Sequence, residues 1–455
     1  MSFAFTVPSP QRALSAVVAV AVSLSLMAAA VAAPRPAAAT ARVQFHFDAS
    51  LVSALDEQAG SMSNVARQIG ATFYASNGYD GTGVDVALID SGVASVNGLD
   101  GAGKVVYGPD VSYESGLPNL RNLDTFGHGT HMAGIIAGNS DGFSGIAPGS
   151  RIVSLKAADS HGRTDIAQII ASIRWVVENA HRHGLNIRVL NLSFGANAVT
   201  PYQRSDLAYA VEQAWAAGIV TVVSAGNGGL SSNGLSEPAY DPFVIAVGAD
   251  NTRGTTDPSD DNVTSFSSRG DGARDPDVIA PGKSIVSLRV PGSYLDESHP
   301  EARTGDAYFR GSGTSQAAAV VSGAVALMLE RRPRLTPDQV KMLLTSTARP
   351  LPDASPSAQG SGLIDMRSVF TTPARDAEQS WPASIGSDLD AWATVADADG
   401  NSWSSATPDG NSWSGNSWSE SGWTGAGWSD GCEPDGNSWS ATNWQGVSWG
   451  KKKGR

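Results

Sequence analysis

Val84-Asp85-Val86-Ala87-Leu88-Ile89-Asp90-Ser91-Gly92 is the stretch that decides the fold. From Val84 to Ile89 only Asp85 is polar, so the run has no face for water and reads as a strand covered on both sides. It stops at a carboxylate followed by a Ser-Gly turn. Four further short apolar runs repeat the pattern, at residues 152–155, 187–192, 219–223 and 243–247. Longer amphipathic runs lie between them. Thr164 can N-cap a helix that carries Ile166, Ile169, Ile170, Ile173, Val176 and Val177 on one face and ends near Gly184. A second helix runs from Ser205 to Ala217 and stops at Gly218, and Thr336-Pro337-Asp338 is a capped helix start. Strand–helix alternation of this kind predicts an α/β fold, a doubly wound, mostly parallel sheet flanked by helices. In such sheets the functional site lies beyond the carboxyl ends of the strands, where Asp90 stands.

Two other segments supply complementary chemistry. His128 lies in Gly127-His128-Gly129-Thr130-His131-Met132-Ala133-Gly134, and Ser315 in Gly313-Thr314-Ser315-Gln316-Ala317. Each opens an apolar helix, and residues 317–329 are apolar nearly all round, the mark of a buried helix. Serine becomes a competent nucleophile when an imidazole takes its proton, and a carboxylate fixes the imidazole tautomer. Ser224-Ala225-Gly226-Asn227-Gly228 adds an amide after a buried strand; with the Ser315 backbone N–H it can serve the oxyanion. Singly, Asp90 reads as a strand-end turn, His128 as a helix cap, Ser315 as an N-cap and Asn227 as a turn residue. Four such coincidences in the chain order Asp, His, Ser point instead to a serine endopeptidase, since that order separates one lineage of this apparatus from the others. His131, on the same apolar helix, reads as structural.

On these blocks the chain resembles the subtilisin-like serine peptidases, the subtilases, over residues 78–369 or so. Ser265-Phe266-Ser267-Ser268, Val278-Ile279-Ala280-Pro281-Gly282 and Gly362-Leu363-Ile364-Asp365 align as well. The resemblance implies catalytic Asp90, His128 and Ser315, oxyanion donor Asn227, and an edge segment Ser193-Phe194-Gly195 that pairs with substrate backbone. It implies peptide-bond hydrolysis through an acyl-enzyme, with no cofactor required for the chemistry. Ala319 and Val320 stand where the family usually has Pro-His. The loop at residues 137–142 is shorter than the one that forms the tight calcium site in the best-known members, so a structural calcium has no support in the sequence.

The net charge of −13 and pI near 4.9 argue against nucleic acid or anionic membrane as partners. Protein or peptide substrates and a monomeric state are expected. Cys432 is the only cysteine, which excludes an intramolecular disulfide and a cysteine-built zinc site; His181 and His183 read as surface residues. Residues 13–33 form an apolar stretch behind Arg12, and Ala37-Ala38-Ala39 fits a cleavage site, so residues 1–39 read as a signal peptide of a secreted protein, with an uncleaved anchor as the alternative. Residues 40–77 form a short N-terminal segment, too short for the usual folding pro-domain, and residues 78–370 form the peptidase domain. Residues 371–455 form a Trp-, Ser-, Gly- and Asn-rich tail, in which Trp413, Trp418, Trp423 and Trp428 recur every five residues. Rival readings are an inert binding module on the same fold, and a peptidase carried by a tail that binds cell-wall polymer and holds it at the cell surface.

Overall fold

The computed structural model describes residues 60–196, 201–231 and 234–384. The leader-like stretch, most of the short N-terminal segment, Cys432 and the tryptophan repeat lie outside them. Seven strands form a parallel sheet in the order β10-β8-β7-β6-β1-β5-β2, with β9 (Asn262–Val263) antiparallel on β8. The strands are β1 (Asp85–Asp90), β2 (Val105–Asp110), β5 (Arg151–Lys156), β6 (Ile187–Leu192), β7 (Val220–Ser224), β8 (Ile245–Asn251) and β10 (Val278–Pro281). The expected doubly wound, mostly parallel sheet is therefore present. All five runs read as strands from their apolarity are strands, to within two residues at each start.

The chain lays β2 and β5 on one side of β1 and the remaining strands on the other, so the sheet order turns about β1. Side chains of β1 alternate between two cores. Val86 and Leu88 meet helices α3 (His128–Ala137) and α7 (Thr314–Arg331) on one face. Ala87 and Ile89 meet α4 (Ile166–Asn179) and α5 (Asp206–Ala216) on the other. Each fully buried branched side chain contributes about 1.5–3 kcal/mol relative to exposure, so a strand closed on both faces is held at every residue.

Helix starts follow their caps. The Ser205 hydroxyl accepts from Ala208 N–H at 3.0 Å to open α5, and Thr336 with Gln339 forms a capping box for α8 (Pro337–Thr347). The cap of α4 is Asp165, boxed with Gln168, one residue beyond the expected Thr164. That helix also ends at Asn179 rather than near Gly184. His183 and Gly184 take left-handed conformations (φ 54° and 74°), and the turn they make cannot continue a helix.

Helix α7 is buried from Thr314 to Leu329, as its apolar surface requires. It crosses the sheet beside α3 at close range. A Cβ built on Gly323 would meet Ile146 Cβ at 2.7 Å, and one on Gly134 of α3 would meet Ser287 Oγ at 2.4 Å. Past α10 (Met366–Thr371) the described residues, up to Ser384, form no helix or strand but stay bonded to the domain. Gln339 Nε2 donates to Arg375 O, Gln379 Nε2 to Asp338, Tyr202 Oη to Pro382 O, and Ser384 N–H to Glu212. Among the described residues no helix is long and apolar enough to cross a membrane.

Candidate active site

Asp90 is the last residue of β1, at the carboxyl edge of the sheet, and is 2% exposed. His128 is the first residue of α3, which packs on that edge. Gly127 before it has φ 104°, a backbone position that glycine adopts without strain, and this turns the chain sharply into the helix. His128 Nδ1 lies 2.7 Å from Asp90 Oδ1 and 3.0 Å from Oδ2. A carboxylate only accepts, so Nδ1 carries the proton and Nε2 is left as the basic nitrogen. His131, one turn along, is buried. Burial, with His128 adding, pushes it down to about 3, so it is neutral at any working pH and fits the structural role expected of it.

Ser315 is the second residue of α7 and is buried. Its Oγ donates to the Ser193 carbonyl at 2.9 Å, and Ser193 Oγ donates back to the Ser315 carbonyl at 3.1 Å. The structure thus joins the nucleophile candidate directly to the segment Ser193-Phe194-Gly195, which continues from β6. Asn191 ties Ser193 to the body of α7, donating to Ser193 Oγ and accepting from Ser322 Oγ, each at 2.8 Å. The Phe194 carbonyl accepts from Ser224 Oγ at 3.1 Å.

Asn227 follows β7. Its Oδ1 accepts from Thr314 N–H at 2.9 Å and from Thr314 Oγ1 at 3.1 Å. That fixes the amide plane and leaves Nδ2 buried without a hydrogen-bond partner among the described residues. A donor held out of water and unused by the fold, beside the first turn of the Ser315 helix, is preorganised for an acceptor that arrives later.

The sequence reading missed a layer around this pair. Lys156 ends β5, in register with Asp90, and is fully buried. Its Nζ lies 2.9 Å from Glu114 Oε2 and donates to the Ser91 carbonyl at 3.0 Å and to Thr125 Oγ1 at 3.2 Å. Burial alone would raise Glu114, but the Thr125 hydrogen bond and Lys156 outweigh it and hold the carboxyl below its ordinary value. The one available signal was a charged residue closing an apolar strand. Asp124, four residues before His128, gave none. Among the described residues no group of three or more His, Cys, Asp or Glu is placed to hold a metal ion.

Comparison with known proteins gives the family. The model of the subtilase family matches residues 81–362. Serine protease AprX of Bacillus subtilis is 37% identical over 295 residues, covering 63% of this chain and 65% of AprX, so the chain spans just under two thirds of that relative. Subtilisin DY of Bacillus licheniformis is 36% identical over 299 residues, 65% of this chain and 93% of its own length. Among solved structures, fervidolysin of Fervidobacterium pennivorans, described as a keratinolytic enzyme related to subtilisin, aligns with a TM-score of 0.55 at 31% identity, over 68% of this chain and 45% of its own. With a family model over more than half its length and a parallel sheet that sets Asp90 against His128, the chain belongs to the subtilase family.

Proposed function

We propose that this chain is a secreted serine endopeptidase that cleaves proteins through Asp90, His128 and Ser315. Ser315 exchanges its bond to Ser193 for one to His128 Nε2 and attacks the scissile carbonyl carbon. His128 takes the hydroxyl proton and passes it to the leaving amine as the C–N bond breaks. Water, deprotonated by the same nitrogen, then hydrolyses the ester and returns Ser315. Asp90 holds the ring and stabilises its cation, while Asn227 Nδ2 and the Ser315 N–H receive the oxyanion. Substrate backbone pairs with Ser193-Phe194-Gly195. The observation that carries this reading is the double contact of Asp90 with His128 Nδ1, which leaves Nε2 as the ring's only acceptor. Secretion rests on the apolar leader-like stretch at residues 13–33.

The test is Ser315→Ala. Casein cleavage should fall by about 10⁶ in kcat, a magnitude borrowed from related enzymes. Phenylmethylsulfonyl fluoride should label Ser315 in the wild type. Residual activity within about tenfold of wild type would end this reading.

A further inference from the structure

Asp124 is a buried carboxylate, 3% exposed, that the proposed chemistry does not use. Both of its oxygens are fully engaged. Oδ1 accepts from Ser91 Oγ at 2.8 Å and from Gly127 N–H at 2.7 Å. Oδ2 accepts from Thr130 N–H at 2.7 Å and from Thr130 Oγ1 at 2.6 Å. Ser91 Oγ in turn accepts from Gly129 N–H at 2.9 Å, and Thr130 Oγ1 from Ala94 N–H at 2.9 Å. The backbone N–H groups of residues 127, 129 and 130 are therefore tied to Asp124 directly or through Ser91. His128 sits between them. Ser91 is the residue after Asp90, and its own N–H donates to Asp90 Oδ1 at 2.8 Å.

We propose that Asp124 is a positioning residue for the Asp90–His128 pair, clamping the turn that carries the carboxylate to the helix start that carries the imidazole. The inference rests on the roles given above to Asp90 and His128. A helix cap alone would satisfy N–H groups of its own first turn; Asp124 also reaches Ser91, 33 residues away in sequence, on a different element. The contact between those elements is already close, since a Cβ on Gly129 would meet the Gly92 carbonyl oxygen at 2.1 Å. Removing the clamp lets two packed elements shift by a fraction of an ångström, and misplacement on the order of 1 Å of a reacting group costs about 10² in rate. The Asp124 charge also lies at the positive end of α3 and favours the imidazolium that His128 becomes during reaction.

The experiment compares wild type, Asp124→Asn and Ser91→Ala on a short chromogenic peptide across pH, with active sites counted by stoichiometric labelling of Ser315. Asparagine keeps the shape but points an NH₂ at two of the four donors. Asp124→Asn should lower kcat per labelled site about 10- to 100-fold, leave KM within about threefold, and move the acid limb of the rate profile to lower pH, because one negative charge near the imidazolium is gone. Ser91→Ala removes the cross-link, together with the 3.3 Å contact of the Ser91 hydroxyl with Asp90 Oδ1, and should lower kcat about 3- to 10-fold without moving the acid limb to lower pH. A purely structural Asp124 would lower the labelled fraction and Tm while kcat per labelled site and the acid limb stayed at wild-type values, and that result overturns the inference. If Asp124→Asn does not fold, an unchanged kcat for Ser91→Ala overturns it. A wild type that neither turns over nor labels defeats the peptidase reading itself, a distinct outcome from variants that match an active wild type.

Discussion

Replacing Asn227 by leucine separates two jobs that one amide performs. The Oδ1 atom receives two bonds from Thr314, at 2.9 and 3.1 Å, and so anchors the start of α7. Nδ2 makes no hydrogen bond among the described residues. Leucine has neither atom. The lost acceptor strands two buried donors at the helix start, at about 1–3 kcal/mol for each left unsatisfied, which predicts a Tm lower by several degrees. The lost donor acts only in the transition state. For related enzymes such a loss is about 10²–10³ in kcat, or about 2.7–4 kcal/mol, with KM little changed because the ground state gains nothing from the amide. Asn227→Asp distinguishes the two effects: it restores an acceptor for Thr314 and withholds the donor. We therefore expect Asn227→Asp to lose kcat at least as severely as Asn227→Leu but to give up less Tm. The assay is initial rates on a chromogenic peptide per labelled Ser315, with thermal unfolding of the same samples. Both variants retaining kcat within about threefold would refute the oxyanion assignment, and a large KM rise at constant kcat would make Asn227 a ground-state binder.

Two further outcomes follow from groups away from the cleft. Asp250 and Asp261 are neighbouring carboxyls where β8 meets β9, near Gln68 and Arg349; burial chiefly, then Asp261, raises Asp250 well above its ordinary value of 3.8, and burial with Asp260 raises Asp261 to about 6. The folded state then holds protons that the unfolded chain releases, so the pair's contribution is full below about pH 4 and lost as pH rises through about 6. Asp250→Asn should gain Tm relative to wild type between pH 4 and 7, and a difference that does not change with pH would refute this. A chain ending after Ser384 should keep wild-type kcat/KM and Tm, whereas one ending at Thr372 should keep kcat/KM within about threefold but lose several degrees, since it strips Glu212 of the Ser384 N–H and removes the Tyr202–Pro382 bond. Collapse of peptide activity in the shorter chain alone would place residues 373–384 in the site.

The sheet was legible where burial is two-sided. Strands β1, β5, β6, β7 and β8 are covered on both faces, so apolarity alone marks them. Edge strand β2 is half exposed and contains Gly108 and Pro109, and its composition resembles a loop. Strand β10, four residues long, drew attention only through its likeness to a family block. Helix starts were readable because Ser205 and Thr336 act on residues three ahead. The end of α4 was not, because a left-handed His183 has no signature in a run that stays amphipathic. At the site, Asp90, His128 and Asn227 carry recognisable local settings. Asp124, Lys156 and Glu114 do not, because each also makes a contact far along the chain, to residues 33, 65 and 46 positions away, and only the folded chain makes those contacts.

The tight seating of α3 against α7 and the neighbouring strands bears on how such a chain can change over generations. At Gly129, Gly134 and Gly323 even one added methyl group collides with backbone or with a side chain that cannot retreat. Drift is shut out of the framework that aligns the reacting groups. The loop that leaves the carboxyl end of β5 is exposed at His161 and Arg163, where added atoms meet water instead. Inherited variation is thereby channelled toward exposed positions of that kind and away from the packed glycines that align the reacting groups.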